Sequence, residues 1–381
     1  MRSNRVKIFS IQTKMIYKMK IVYLLLAAVV LFSGCNTGKL DLDKITATED
    51  TDTGKINDTV YVKQNPDWTG FNNPQDILVG REPFLYVADT DNDQIVMLNL
   101  AGQVLGKRSI KHPIALAQDY QLNLIVCAEF DTLIQGVTET FSAVYKLDLY
   151  SAGHNIENTV PVRIIPTAKD FLYLNETKRR EYTGVCAFYD NSFFVSRIGP
   201  NNSSIFDPDN AILIYQKKAV LNSVKADTLI GTVPLLTPEG TGLLSANKIS
   251  SLTSFNKRNM DFILTLVGNN SFRTQWLQYI ESSEFSGYVS KLSPSNATMM
   301  SVNKFTQPED VAIDDLDNIF IADAGKDSIY KFNSYGDELQ SFGGPAVFKS
   351  PHAVAFFDKT LYVVDTGNNR ILRFILSTET D

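Results

Sequence analysis

One sequence pattern recurs three times along this chain, and the recurrence limits the folds open to it. The copies begin at Pro74, Pro308 and Pro351, and the last reads PHAVAFFDKTLYVVDTGNNRILRF. Each copy holds three short apolar runs, rich in β-branched and aromatic residues and separated by turn formers, which predicts a three-stranded antiparallel meander. Because one meander cannot bury its own faces, we expect the repeats to pack against one another.

The repeat length indicates how they pack. The matched positions Asp89, Asp323 and Asp365 include a pair 42 residues apart, and a four-stranded propeller blade takes about 40–45 residues. The shared pattern is Pro-x-x-Val-Ala, then an aromatic and aliphatic strand ending in Asp, then Asn-x-Arg/Gln-Ile, and it resembles the NHL repeat. That resemblance implies a β-propeller, commonly with six blades. We therefore predict an all-β, six-bladed, NHL-like propeller over residues 57–381, with five or seven blades as alternatives.

The N-terminus has the pattern of a bacterial lipoprotein. Basic residues precede a twelve-residue apolar run, residues 21–32, which is too short to span a membrane and suits the core of a signal peptide. The next segment, LFSGC, resembles a lipobox and ends at Cys35. The resemblance implies removal of residues 1–34 and lipidation of Cys35, and Asn36 implies an outer-membrane destination. We expect a lipid-anchored envelope protein on the periplasmic or surface-facing side.

The charge of the mature chain excludes some partners. Residues 35–56 are polar and acidic, which predicts a flexible tether. Removal of residues 1–34 leaves 30 Lys and Arg against 42 Asp and Glu, a net charge of −12. This disfavours binding to nucleic acid and electrostatic adhesion to anionic lipid. The expected partners are outer-membrane lipid, through acylated Cys35, and a glycan, peptide or protein ligand.

Two further cysteines, Cys127 and Cys186, lie in predicted strands. A disulfide between them is open in an oxidising compartment, but sparse cysteine usage favours two small buried residues. Neither has metal-ligand spacing around it.

The six blades can be placed only if some carry insertions, and blade 6 lacks a strand. We predict blade starts at Pro74, Pro113, Tyr182, Ile249, Pro308 and Pro351. Blade 6 has three strands before the chain ends, which would expose a sheet edge. We expect residues 58–64, DTVYVKQ, to add as its outer strand and close the ring.

The insertions fall almost entirely on one face, which we call the upper face. In a blade of strands A to D, the B–C loops and D–A connections emerge where strand A begins, and the insertions occupy residues 129–142, 166–181, 198–210, 233–248 and 268–287. Long loops gathered on one face often carry function. The segment 273–281 is predicted to be a short helix. The candidate ligand-binding residues in or beside these loops are Arg179, Arg197, Arg273, Trp276 and Tyr279.

Aromatic residues are frequent in these insertions, and two interpretations of them stay open. They include Phe130, Phe141, Phe171, Tyr173 and Phe206. Together with the arginines they suit recognition of a sugar, peptide or other organic ligand. Equally, they could form a satellite cluster that pins the long loops down.

The upper mouth of the channel supplies the other candidates, because strand A is innermost and begins there. The candidate residues are Asp76, Thr183, Glu309, Asp310 and His352. A related propeller lyase that amidates peptide termini binds zinc through histidines at such positions. Here only His352 fits, so that activity is disfavoured. Calcium at Asp76, Glu309 and Asp310 is a weaker alternative to solvated charges, and we expect no cofactor.

The repeat aspartates do not indicate catalysis. Asp89, Asp323 and Asp365 recur in register at the end of strand B, where we expect each to cap the following turn. Three functions remain: a non-catalytic envelope lipoprotein that binds a carbohydrate, peptide or protein on the upper face; a lyase or hydrolase that uses channel-mouth residues such as His352; and a structural component of an envelope complex.

Overall fold

The chain folds as a six-bladed β-propeller. The computed structural model describes residues 60–219 and 225–379, and these form six four-stranded antiparallel sheets. The signal peptide, the tether, Cys35 and the first two residues of the predicted closing strand lie outside the described residues. Among the described residues, none of the helices has the length and apolar character needed to cross a membrane.

The first strand, β1 (Tyr61–Thr69), precedes blade 1 and belongs to blade 6. Blade 1 consists of β2 (Pro74–Val79), β3 (Phe84–Asp89), β4 (Gln94–Asn99) and β5 (Val104–Ser109). Blade 2 consists of β6 (Ala115–Gln118), β7 (Asn123–Ile134), β8 (Val137–Asp148) and β9 (Val162–Ile165). A helix, α1 (Leu174–Arg179), leads into blade 3, which consists of β10 (Glu181–Ala187), β11 (Phe193–Ile198), β12 (Ala211–Ala219) and β13 (Lys225–Thr232).

The second half of the ring repeats the arrangement. Blade 4 consists of β14 (Ile249–Ser254), β15 (Phe262–Leu266), β16 (Thr274–Glu281) and β17 (Ser286–Ser290). Blade 5 consists of β18 (Pro308–Ile313), β19 (Ile319–Asp323), β20 (Ser328–Phe332) and β21 (Glu338–Gly343). Blade 6 takes β22 (Pro351–Phe357), β23 (Thr360–Asp365) and β24 (Arg370–Leu376) from the C-terminus, and β1 completes it.

The predicted ring closure is confirmed, with later strand bounds. β1 pairs antiparallel with β24, from Tyr61 opposite Leu376 to Thr69 opposite Arg370. The strand was expected to end at residue 64, but pairing resumes beyond a bulge between Gln64 and Trp68. It resumes because Trp68 is buried, with its ring centroid 5.7 Å from that of Tyr362.

The core lies between the blades, as six apolar clusters that each join two neighbours. β1 contributes to two of them. Tyr61 packs between blades 5 and 6, stacked on Phe342 at 5.2 Å, and Trp68 packs between blades 6 and 1. Both predicted buried thiols are confirmed, since Cys127 and Cys186 are free and buried in different blades. Burial raises the pKa of each thiol.

The predicted helix at residues 273–281 is wrong, because this segment is strand β16. Trp276 packs between blades 4 and 5, and Leu277 packs between blades 3 and 4. A strand that is buried on both faces lacks the alternation of apolar and polar residues. The apolar residues of this segment therefore also fitted the spacing of a helix. The expected long loop at 268–287 therefore shrinks to the short connection between β15 and β16.

The insertion at 129–142 is also more regular than expected. β7 and β8 extend beyond the blade as one hairpin, paired up to Ile134 opposite Val137. Its two-residue turn, Gln135-Gly136, has φ of 52° and 86°, as the turn of a tight hairpin requires. The hairpin projects from the upper face next to α1.

Candidate functional site

The predicted mouth residues meet at the upper end of the channel. They line a cavity of about 150 Å³, to which Ile198, Ile249 and Val267 also contribute. The mouth residues that line it are Gln75, Asp76, Ile114, Ala115, Thr183, Ser250, Ser251, Glu309, Asp310 and His352. The register between strands A and B explains this placement. In four blades it shifts directly after the first paired residue of strand A, and in blade 3 it shifts after the second. Such a bulge turns an extra residue out of the ladder.

Asp76 and Asp310 tie neighbouring blades together. Asp76 Oδ2 accepts from the backbone N–H of Leu116 at 2.6 Å, which links blade 1 to blade 2. Asp310 Oδ1 accepts from Ser251 Oγ at 2.6 Å and Oδ2 from Val354 N at 2.9 Å, which joins blades 4, 5 and 6. Burial raises the pKa of both carboxyls, and the charge of Asp310 raises that of Asp76 further.

His352 is partly exposed at this mouth, and Glu309 beside it is buried. His352 Nδ1 lies 3.0 Å from the carbonyl oxygen of Gln75, so this nitrogen carries the proton and donates. Its Nε2 lies 3.7 Å from Glu309 Oε2, and Gln307 Nε2 donates to Glu309 Oε1. Thr183 donates to the carbonyl of Ile249 at 2.6 Å, so this candidate also links two blades.

Calcium at this mouth stays a hypothesis. In residues 60–219 and 225–379, no group of three or more His, Cys, Asp or Glu is arranged to hold a metal ion. Backbone and hydroxyl donors already engage both carboxylate oxygens of Asp310, so only part of its acceptor capacity is left for a cation. The expectation that the protein needs no cofactor likewise stays a prediction.

Beside the mouth stands a wall built from three insertions: the hairpin tip 129–142, the segment 166–181 and the loop 198–210. Ion pairs hold the wall at its centre, where Arg179 Nε and Arg180 Nε donate to Asp209 at 2.7 and 2.8 Å. Arg180 and Arg197 also contact Asp207 at 2.7 and 2.6 Å. Burial opposes ionisation of Asp209, but the bonds from Arg179 and Arg180 outweigh it and lower its pKa.

This network includes two of the predicted ligand-binding residues. The guanidinium group of Arg179 donates to the carboxylate of Asp209. The guanidinium group of Arg197 donates to the carboxylate of Asp207 and to the carbonyl oxygens of residues 208 and 209. Both arginines position the loop, and no local sequence pattern could indicate this role because Arg179 and Asp209 are 30 residues apart.

The aromatic residues of the wall divide into two groups. Phe130, Phe141 and Phe171 form a cluster with centroid distances of 5.3–6.3 Å, and the Arg163 guanidinium lies 4.0 Å from the Phe130 ring. These residues pin the hairpin to the segment 166–181, as one interpretation of the sequence expected. The other group faces solvent, because Phe206 is 97% and Tyr173 is 66% exposed.

The remaining three candidates lie apart from the wall and from one another. Arg273 donates to the carbonyl of Thr306 at 2.7 Å, which joins blades 4 and 5. Trp276 is buried and stacked on Phe255 at 4.6 Å. Tyr279 lies near the lower end of β16, where its hydroxyl is 2.6 Å from Ser286 Oγ. These positions support structural roles for Arg273 and Trp276.

Comparison with known proteins supports the fold and leaves the family open. No protein-family model matches the chain, and no curated protein matches it. Among solved structures, an auxiliary nutrient binding protein from Bacteroides thetaiotaomicron is 10% identical with a TM-score of 0.53, over 81% of this chain and 70% of that one. A protein of unknown function from the same organism is 12% identical with a TM-score of 0.51, over 82% and 73%.

A luciferin-regenerating enzyme is also 12% identical with a TM-score of 0.51, over 84% of this chain and 95% of that one. At these identities the likeness shows a shared β-propeller fold alone, and that fold serves both binding and catalysis. The NHL resemblance of the repeats therefore stays an interpretation of the sequence.

Proposed function

We propose that this protein is a lipid-anchored envelope protein that binds a protein or peptide partner, without catalysis, on the wall of its upper face. One observation carries the proposal. Ile205 and Phe206, at the tip of the loop 198–210, are 92% and 97% exposed. Large apolar side chains grouped on a surface commonly mark an interaction site.

The tip is exposed although its base is firmly held. Directly after Phe206, Asp207 is bound by Arg180 and Arg197, and Asp209 is bound by Arg179 and Arg180. A loop anchored in this way presents its apolar tip at a low entropic cost on binding. The neighbouring segment adds Leu172 and Tyr173, which are also exposed.

The chemistry of this surface favours a protein over a sugar. Leucine, isoleucine and phenylalanine offer dispersion contacts and no hydrogen bonds, and aromatic anchors of this kind dominate protein interfaces. The arginines that could have bound a charged or polar ligand are already paired with aspartates. The auxiliary nutrient binding protein with the same fold supports a binding role for such a propeller.

Site-specific photocrosslinking in intact cells tests the proposal. A photoreactive amino acid at position 206 should capture a discrete protein adduct. The same amino acid at position 335 should capture none, since Tyr335 is comparably exposed but lies in a turn of the lower face.

A second variant shows whether the tip is the anchor. Ile205→Ser should abolish capture from a probe at position 173 while leaving the melting temperature unchanged, because the side chain is solvated in the folded state. Absence of an adduct at position 206, or equal adducts at 206 and 335, contradicts the proposal.

A further inference from the structure

A second cavity lies at the opposite end of the channel, which we call the lower mouth. It has a volume of about 330 Å³, and the residues that surround it belong to the ends of the A strands and the A–B turns. This volume falls at the lower end of the range for small-molecule sites. An apolar belt that includes Leu78, Leu116 and Val185 lies along the axis between the two mouths.

Gln118, at the end of β6, leaves a donor unused in this cavity. Its side chain is 5% exposed, and its Oε1 accepts from the backbone N–H of Arg81 at 2.6 Å. Its Nε2 is buried and has no hydrogen-bond partner among the described residues. Buried amide donors in native proteins are nearly always satisfied, so this nitrogen, on a side chain that lines the cavity, indicates a missing acceptor.

Three side chains from different blades roof the lower mouth. The Arg81 guanidinium lies 3.2 Å from the centroid of the Tyr120 ring, and its Nη1 donates to Asn256 Oδ1 at 2.9 Å. Tyr120 also donates to Asn256 Oδ1, at 2.8 Å. All three are exposed side chains on turns, so rotation of the side chains opens the cavity without a change in the backbone.

The lining determines the chemical class of the ligand. Arg81, Asp314 and Asp315 leave the cavity with one net negative charge, which disfavours an anion. Phe356 and Phe357 add apolar surface, and Ser254 and Asn256 add polar atoms. We propose that the lower mouth binds a neutral carbohydrate of monosaccharide size, with Gln118 Nε2 donating to one of its hydroxyl oxygens.

Titration calorimetry on the full chain in detergent tests this site with a panel of neutral monosaccharides. At least one should bind at millimolar concentration, and the corresponding uronic acids should not. Gln118→Glu keeps the acceptor for Arg81 N and replaces the donor by an oxygen, so it should weaken binding at least about tenfold.

Matched variants make the outcome decisive. Gln121→Glu makes the same chemical change at an exposed position three residues away that does not line the cavity, and it should bind as the wild type does. Asn256→Ala removes the centre of the roof and should speed dissociation, which tests the site even if Gln118→Glu unfolds. The proposal is overturned if no neutral monosaccharide binds, if a uronic acid binds better, or if neither Gln118→Glu nor Asn256→Ala changes binding.

Discussion

Each repeat aspartate holds the segment that leads into its own blade. Asp89 Oδ1 accepts from Asn72 N, Asp365 Oδ1 from Lys349 N, and Asp323 from the N–H groups of Thr306 and Gln307, all at 2.7–2.8 Å. The sequence correctly predicted a structural role with bonds in the following turn, but it did not predict these bonds to the preceding segment. In the following turn, Asp89 Oδ2 accepts from Asn92 Nδ2 at 2.9 Å, Asp365 Oδ2 from Asn368 Nδ2 at 2.8 Å, and Asp323 Oδ1 from Gly325 N at 3.2 Å.

The bonds to the preceding segment show the limit of what a repeat can reveal. Recurrence in register identified the aspartates as structural, because the same residue served three blades. Their partners in the preceding segment are backbone N–H groups that lie 16 or 17 residues earlier. No side-chain pattern marks such a partner, since every residue except proline has an N–H.

Asp310 yields a prediction on pH dependence. Burial raises its pKa in the folded state, so its contribution to stability is complete below the unfolded pKa, near 3.9, and is lost as pH rises through the folded pKa. Asp310→Asn stays neutral, and its amide can donate to Ser251 while its oxygen accepts from Val354. Relative to wild type, the variant should therefore gain stability as the pH rises from 4 to 8.

Urea denaturation across this pH range measures the effect. Glu284→Gln is the control, because it removes an exposed carboxylate and its stability should follow the wild type at every pH. If the curve for Asp310→Asn also runs parallel to that of the wild type, the buried carboxyl does not titrate as described.

Among the elements, β16 explains why the sequence located most strands but missed one. Blades 1, 5 and 6 carry turn-forming residues between short apolar runs, so their first three strands are evident from the sequence. In blade 4 the inner half of β16 is buried on both faces, and its alternation disappears. The neighbouring blades that cover those faces are remote in sequence, so local pattern could not distinguish the strand from a helix.

The closing strand β1 permits a sharp test by truncation. Deletion of residues 1–56 leaves every residue of β1 in place, so the melting temperature should not change. Deletion of residues 1–65 removes buried Tyr61 and the pairing of residues 61–64 with β24. Loss of this aromatic core residue and its ladder should cost about 3–5 kcal/mol and lower the melting temperature by roughly 5–10 °C.

Differential scanning calorimetry of the two truncations gives the comparison directly. Equal melting temperatures would show that Trp68 and the residues after it are sufficient to hold blade 6 together.

For the whole molecule, the sequence could reveal the ring and the face that carries the insertions, but not the cavity at the lower mouth. The ring follows from local repeats, each interpretable within about 40–45 residues. The roof of the lower mouth joins Arg81 to Asn256, which are 175 residues apart. Two turns from opposite sides of the ring meet only once all the blades between them are in place, and no spacing in the sequence encodes that meeting.

Attachment of the whole molecule to the membrane depends on the predicted lipidation of Cys35. Replacement by serine removes the thiol that would carry the lipid, so the precursor should stay unprocessed and unlabelled in cells fed radioactive palmitate. Cys127→Ser is the matched control, because that thiol is buried in blade 2, and its labelling should equal that of the wild type. Labelling of the Cys35→Ser variant would remove the lipoprotein proposal.

The shared construction of blade 6 has a consequence for assembly at high concentration. Val60 and Ser377, which bond to each other at the seam, are 317 residues apart, so this contact closes the longest loop in the ring and is expected to form late. Until then β24 presents an open edge, and β1 of a second molecule fits it as well as the chain's own. Exchange of β1 between two copies would complete both rings. A domain-swapped dimer is therefore the misassembled form expected at high concentration.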